Sequence, residues 1–152
     1  DNSLLRIDVM LQEEDSLNQT PEHQNAFSLV TKLKNGKFNF WGDLSFSNGY
    51  GSQSDVLGAQ LMPFYDFTDK LQGVFSYSYV ESKDALGVDI TRYERDLAGR
   101  GDEMQEYFFG INYFFHGHKL KWQNAVQYTE MDNLGTKVYE GWGYTSGIRI
   151  SW

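Results

Sequence analysis

The chain contains no cysteine, which excludes both a disulfide framework and a thiolate metal site. It has no basic surplus: 13 basic residues face 21 acidic ones, for a net charge of -8. A general nucleic-acid binder would carry the opposite balance. No apolar run approaches the roughly 18 residues that a membrane-spanning helix requires. Proline is scarce, two against 15 glycines. No basic and apolar leader opens the chain, so a mature or truncated chain is expected. No linker, heptad or low-complexity tract divides residues 1–152, whose length suits one domain, with room for one sizeable core.

Chemistry-bearing motifs are missing too. There is no nucleophile–base arrangement and no phosphate loop, and acidic pairs such as Glu13-Glu14 fall in solvated loops, so an enzyme is not expected. No cofactor is implied. His116-Gly117-His118 has no third ligand nearby in sequence and reads as turn chemistry, not a metal site. Arg100-Gly101-Asp102 matches a cell-adhesion tripeptide but sits in a long charged loop, where coincidence is the simpler reading.

Aromatic residues are abundant at 16%, as ten Tyr, eleven Phe and four Trp. They fall into a pattern of period two, repeated in eight segments, which is the signature of half-buried strands. In "SLLRIDVMLQ", Leu5, Ile7, Val9 and Leu11 oppose Arg6, Asp8 and Gln12. "AFSLVTKLK" sets Phe27, Leu29 and Leu33 against Ser28, Lys32 and Lys34, and Asn35-Gly36 then predicts a type I′ hairpin turn. "KFNFWGDLSFS" and "VLGAQLMPFY" continue the alternation, with Pro63 awkward inside a ladder. "KLQGVFSYSYV" follows, and then "EYFFGINYFF", where Phe108 and Phe114 blur the alternation. The last two segments are "KLKWQNAVQYT" and "YTSGIRISW".

The connections predict the architecture. Read in order, they are 13–25, 35–36, 48–55, 66–69, 82–104, 116–118 and 132–141, long and short by turns. Segregation of loop length by side of the sheet is a property of outer-membrane barrels, whose strands also run to about ten residues. The expected fold is therefore all-β, an antiparallel transmembrane β-barrel with eight strands in this chain. A soluble barrel around a ligand, with its apolar face turned inward, is the alternative. Aromatics near strand ends (Tyr65, Tyr79, Tyr107, Phe115, Tyr128, Trp142, Trp152) suit the two interfacial girdles of a membrane barrel.

With the apolar face outward, the pore-lining candidates are Arg6, Asp8, Lys32, Lys34, Lys37, Asp43, Glu106, Lys121 and Arg149. Six bases against three acids give a wall of +3, with Lys34, Lys37, Lys121 and Arg149 toward the periplasmic mouth. A confined basic wall favours anions; the plainer reading is that lysines flank turns and neutralise nearby carboxylates. The 82–104 loop is long enough to fold inward, with Arg92, Arg95 and Arg100 as constriction candidates, or to stay outside as a solvated lid.

From Asp66 to Trp152 the chain resembles the C-terminal part of porins of the phosphate-selective porin O and P family. The resemblance lies in "RYERDLAGRGDEMQEYFFGINYFFHGHKLKWQNAVQY", in "GWGYTSGIRISW" and in the hairpin "FTDKLQGVFSYSY". It implies a sixteen-stranded barrel, usually a homotrimer, that passes small anions or other solutes. This chain offers eight strands, the C-terminal half of such a barrel or a complete small one. The family's phosphate-binding arginines have no match here, so phosphate selectivity is not implied.

Thr145, Gly147, Ile150 and Trp152 resemble the terminal signal by which the barrel-assembly machinery recognises outer-membrane strands. The sequence thus predicts a porin in the outer membrane of a Gram-negative bacterium, surrounded by lipid, allowing ion transport and passive diffusion of small hydrophilic solutes. The alternative is a non-conducting eight-stranded barrel, filled by its own side chains, acting as an anchor or a display for surface loops. Six bases with three acids leave too few partners for such a closed interior, which favours the wider barrel.

Overall fold

The computed structural model describes residues 3–11, 22–50, 53–89 and 100–151. Among these, strand is the only regular structure: β1 (Leu4–Leu11), β2 (Glu22–Asn35), β3 (Phe38–Tyr50), β4 (Val56–Thr68), β5 (Leu71–Ser82), β6 (Val88–Asp89), β7 (Arg100–Gly101), β8 (Glu103–His116), β9 (Leu120–Asn133) and β10 (Thr136–Ile150). Eight of them form one sheet in the order β1-β2-β3-β4-β5-β8-β9-β10, every neighbour antiparallel, while β6 and β7 make a separate two-stranded ladder. The all-β, eight-stranded, antiparallel expectation holds at that level. The sheet is open, however, with β1 and β10 as its edges.

Two turns differ from expectation. The β2–β3 turn is centred on Gly36 and Lys37, with Asn35 already paired to Phe38. Gly36 has φ +59, and Lys37 is not in the positive-φ region. That is the II′ pattern, in which only the first central residue needs positive φ, rather than I′. The expected long connection at 132–141 is a tight turn instead, because β9 runs to Asn133 and β10 starts at Thr136. Leu134 (φ 51) and Gly135 (φ 72) both adopt the left-handed conformation that a type I′ turn demands. Loop length therefore alternates less regularly than the sequence suggested.

A strand's side chains alternate between faces, so the pairing register places whole rows on one side. One row reads Leu5, Thr31, Gly42, Leu61, Tyr77, Tyr107, Tyr128 and Trp142. Its face also carries Leu44, Phe46, Phe109, Ile111, Tyr144, Ile148 and Ile150, each at least 43% exposed, because no second layer of described residues covers it. The opposite face is mostly polar and half-buried, and the cavities lie on it, so the sheet curls toward that side. Among the described residues, the buried apolar side chains are Val88, Phe114 and Met131 only.

Candidate functional site

The polar face is the one surface of the sheet where shape and chemistry combine. It holds a chain of hydrogen bonds across five strands near the β4–β5 and β8–β9 turns. Gln123 Nε2 donates to Asn112 Oδ1 at 2.9 Å, and Asn112 Nδ2 donates to Gln72 Oε1 at 2.8 Å. Gln72 Nε2 in turn donates to Asp66 Oδ1 at 2.8 Å, and Asn39 Nδ2 reaches Asp66 Oδ2 at 3.4 Å. Register explains the chain: Asp66, Gln72, Asn112 and Gln123 are direct cross-strand partners. Each amide is held by its neighbour, so the wall is ordered without a packed layer behind it.

Beside this chain lies a cavity of about 630 Å³. Gly110, Ala125 and Gly147 give it a low floor, while Trp41, Phe64 and Phe108 supply apolar walls. A Cβ at Gly110 would stand 2.9 Å from the Phe108 ring, so glycine there lets that ring lie against the sheet. Trp41 meets Phe64 edge to face, with centroids 5.4 Å apart at 87°. Lys32 Nζ sits 4.6 Å above the Trp41 ring, a cation–π geometry. His118 lines the same cavity and packs edge-on against Phe114 at 5.1 Å. Among the described residues no group of three His, Cys, Asp or Glu could hold a metal.

The nine pore-lining candidates divide by location. Arg6, Lys32, Lys34, Asp8, Asp43, Glu106, Lys121 and Arg149 all belong to polar-face rows. Arg6 pairs with Asp8 at 2.8 Å, Asp43 accepts from Ser28 Oγ at 3.1 Å, and Glu106 accepts from Thr129 Oγ1 at 3.1 Å. Lys37 is different. It sits in the exposed β2–β3 turn, and its Nζ donates to the Phe67 carbonyl at 3.1 Å. Asp66, absent from the candidates, joins this face through its pairing with Gln72. Lys34, Lys121 and Arg149 lie toward the short-turn end of this face, the end that also holds Asp66.

At the opposite end, the base of the 82–104 loop bends over the polar face. Val88 packs on Met131, with Val80, Met104 and Tyr139 around them. The Ser82 amide donates to the Asp102 carbonyl at 2.7 Å, and Leu86 N donates to Asn133 Oδ1 at 3.0 Å. Arg100 stays largely exposed and pairs with Asp89 at 3.4 Å; Arg92 and Arg95 lie outside the described residues. Nearby, Asp55 accepts from Gly49 N at 3.0 Å and faces Lys83 at 3.6 Å. The Gly49 amide, foremost, with Asn48 and Lys83 adding to it, holds the Asp55 carboxyl below the usual carboxylate range against a smaller desolvation penalty.

Of the terminal-signal residues, Thr145 and Gly147 line the cavity, and Ile150 lies opposite Leu120 on the apolar face. Trp152 is outside the described residues. Sequence reasoning missed Trp41, Phe64 and Asp66. The one available signal was the blurred alternation in "EYFFGINYFF", which marked Phe108 and Phe114. Comparison with family models, with curated proteins and with solved structures found no match.

Proposed function

We propose that this sheet is the wall of a transmembrane β-barrel in a bacterial outer membrane, and that the protein is a passive diffusion porin for small hydrophilic solutes. The carrying observation is the uncovered apolar face. Trp142, Tyr144, Ile148 and Ile150 are between 63% and 78% exposed, and contiguous apolar patches of such extent rarely face water. Hydrocarbon would supply the missing layer.

The edges of that face support the same reading. Toward the long-loop end, Tyr77, Tyr107, Tyr128 and Trp142 form one row, with Tyr77–Tyr107 centroids 5.0 Å apart and Tyr128–Trp142 centroids 4.9 Å apart. Toward the short-turn end stand Tyr65 with Phe67 at 5.2 Å and Tyr113 with Phe115 at 5.0 Å. From Tyr107 to Phe115 the strand rises about 20 Å along a membrane normal once a tilt near 40° is allowed. That matches the apolar band and paired girdles of an outer-membrane barrel.

In lipid, the backbone groups along β1 and β10 need partners, so both edges must be paired. The closure is with further strands, giving a barrel wider than eight, because an eight-stranded interior is filled by side chains and this wall keeps an open cavity beside three bases. This fits the resemblance of residues 66–152 to the O and P family of porins. The positive end near Lys34, Lys121 and Arg149 favours anions. Homotrimer assembly and recognition by the barrel-assembly machinery belong to the same reading.

Single-channel recording in planar bilayers tests it. Discrete conductance steps are expected, with a reversal potential of anion-selective sign under a KCl gradient. Absence of steps would contradict the porin and leave the anchoring barrel; a cation-selective potential would contradict the anion preference.

A further inference from the structure

Passive diffusion needs no particular pairing of charges, yet Lys121 and Arg149 occupy the same register position on β9 and β10. Directly opposite residues leave one face with Cβ atoms about 5 Å apart, where like charges are destabilising. Among the described residues neither base has a carboxylate within ion-pair distance. Lys121 Nζ instead stands 6.0 Å from the Phe114 ring centroid. Lys121 also lines the 630 Å³ cavity, and Arg149 lies two residue pairs beyond Gly147 of its floor, on the same face.

We propose that this cavity binds a small planar organic anion, a ring bearing one carboxylate. The carboxylate sits between Lys121 and Arg149, and the ring lies over the Gly110–Ala125 floor against Phe64 and Phe108. The volume is in the range of small-molecule sites, and a mostly apolar lining with a few fixed polar groups is their usual make-up. A neutral sugar is a poorer fit. The amides it would need are already joined to one another and to Asp66, while among the described residues the two cations have no carboxylate within ion-pair distance. A simple inorganic anion would use the cations and leave the apolar walls without a purpose. Binding a ring there would slow a favoured solute at the wall and raise its local concentration.

The inference rests on the reading of this face as water-filled, and its test is separable from the channel's. Fluorine NMR would follow 4-fluorobenzoate against the purified protein in detergent, with 4-fluorobenzyl alcohol as the ring-only probe and acetate, read by its displacement of 4-fluorobenzoate, as the charge-only one. The expected result is at least ten-fold tighter binding of 4-fluorobenzoate than of either control. Lys121→Gln with Arg149→Gln should weaken it at least ten-fold, while Lys121→Arg should keep it. Phe108→Ala should weaken the benzoate and leave acetate unchanged, which keeps the test open if the double variant does not fold. Equal binding of acetate, equal binding of the alcohol, no binding of the benzoate, or indifference to the folded double variant would each overturn the proposal. Binding without single-channel current supports the site and contradicts the channel; current without binding contradicts the site alone.

Discussion

Tyr77 and Tyr107 stand opposite each other on β5 and β8, and both phenols donate to the same oxygen, Gln105 Oε1, at 3.1 Å. Tyr79 donates to Glu81 at 2.9 Å and Tyr128 to Glu140 at 3.3 Å, again toward the long-loop end. The rings thus border the apolar band while their hydroxyls point away from it. An amphipathic ring at a water–hydrocarbon boundary is held this way.

A charge placed within the band should be costly and one beyond it should not. Ile111 lies between Tyr107 and Phe115 on the apolar face and is 44% exposed. Ile111→Lys is expected to cost about 2–4 kcal/mol in reversible urea unfolding from lipid vesicles. Thr136→Lys, beyond the aromatic row, should change stability by under about 0.5 kcal/mol. Equal, small effects at both positions would contradict a lipid-facing surface.

The β9–β10 turn holds a leucine in an unfavourable backbone state. Leu134 has φ 51 and is 74% exposed, so its side chain gains little in return. A non-glycine residue there costs about 1–2 kcal/mol, and asparagine is better tolerated. Leu134→Asn should therefore raise unfolding stability by about 1 kcal/mol, read from the shift of the urea midpoint.

The docked base of the 82–104 loop should depend on Gly101. A Cβ there would lie 2.3 Å from the Asp132 carbonyl oxygen and 2.5 Å from Met131 Cγ, and the backbone contact cannot swing away. Gly101→Ala should release the Val88–Met131 contact. Hydrogen exchange would show this as at least ten-fold faster exchange of the Ser82 and Asp102 amides, with the amides of β9 near Gln123 unchanged.

Asp55 gives the same region a pH dependence. Its carboxyl is held below its ordinary 3.8, mainly by the Gly49 amide. A depressed folded pKa means the contribution is present above the unfolded value and is lost as pH falls through the folded one. Protection of the Gly49 amide should thus persist at pH 4 and fade only below it. Asp55→Asn should remove that acid step and lower protection at neutral pH.

How much of this was legible in the sequence varies along the chain. Strand number and most faces were, because alternation such as Leu5, Ile7 and Val9 against Arg6 and Asp8 admits one sheet assignment. The extent of β10 was not. N-terminal to Trp142 its apolar alternation weakens, and the glycines and charges of 132–141 read as a loop although all but the turn at 134–135 belong to the paired strands. The cavity was hidden for a related reason. Trp41, Met62 and Phe64 break the polar pattern of their face, so a two-face reading discards them as noise. Asp66 reads as a turn residue in the sequence but lies on the polar face of the sheet, since β4 extends to Thr68.

The absence of cysteine makes the central claim directly testable, since any introduced thiol is the only one. Single cysteines placed in turn at residues 121 to 128 of β9 would be exposed to a water-soluble cationic methanethiosulfonate during single-channel recording. Lys121, Gln123 and Gln127 face the polar side, and Trp122, Val126 and Tyr128 the apolar one. The account predicts modification and reduced current at the first three, with no change at the second three while lipid surrounds the protein. Modification at Trp122, Val126 and Tyr128 instead, or no alternation along the strand, would contradict it.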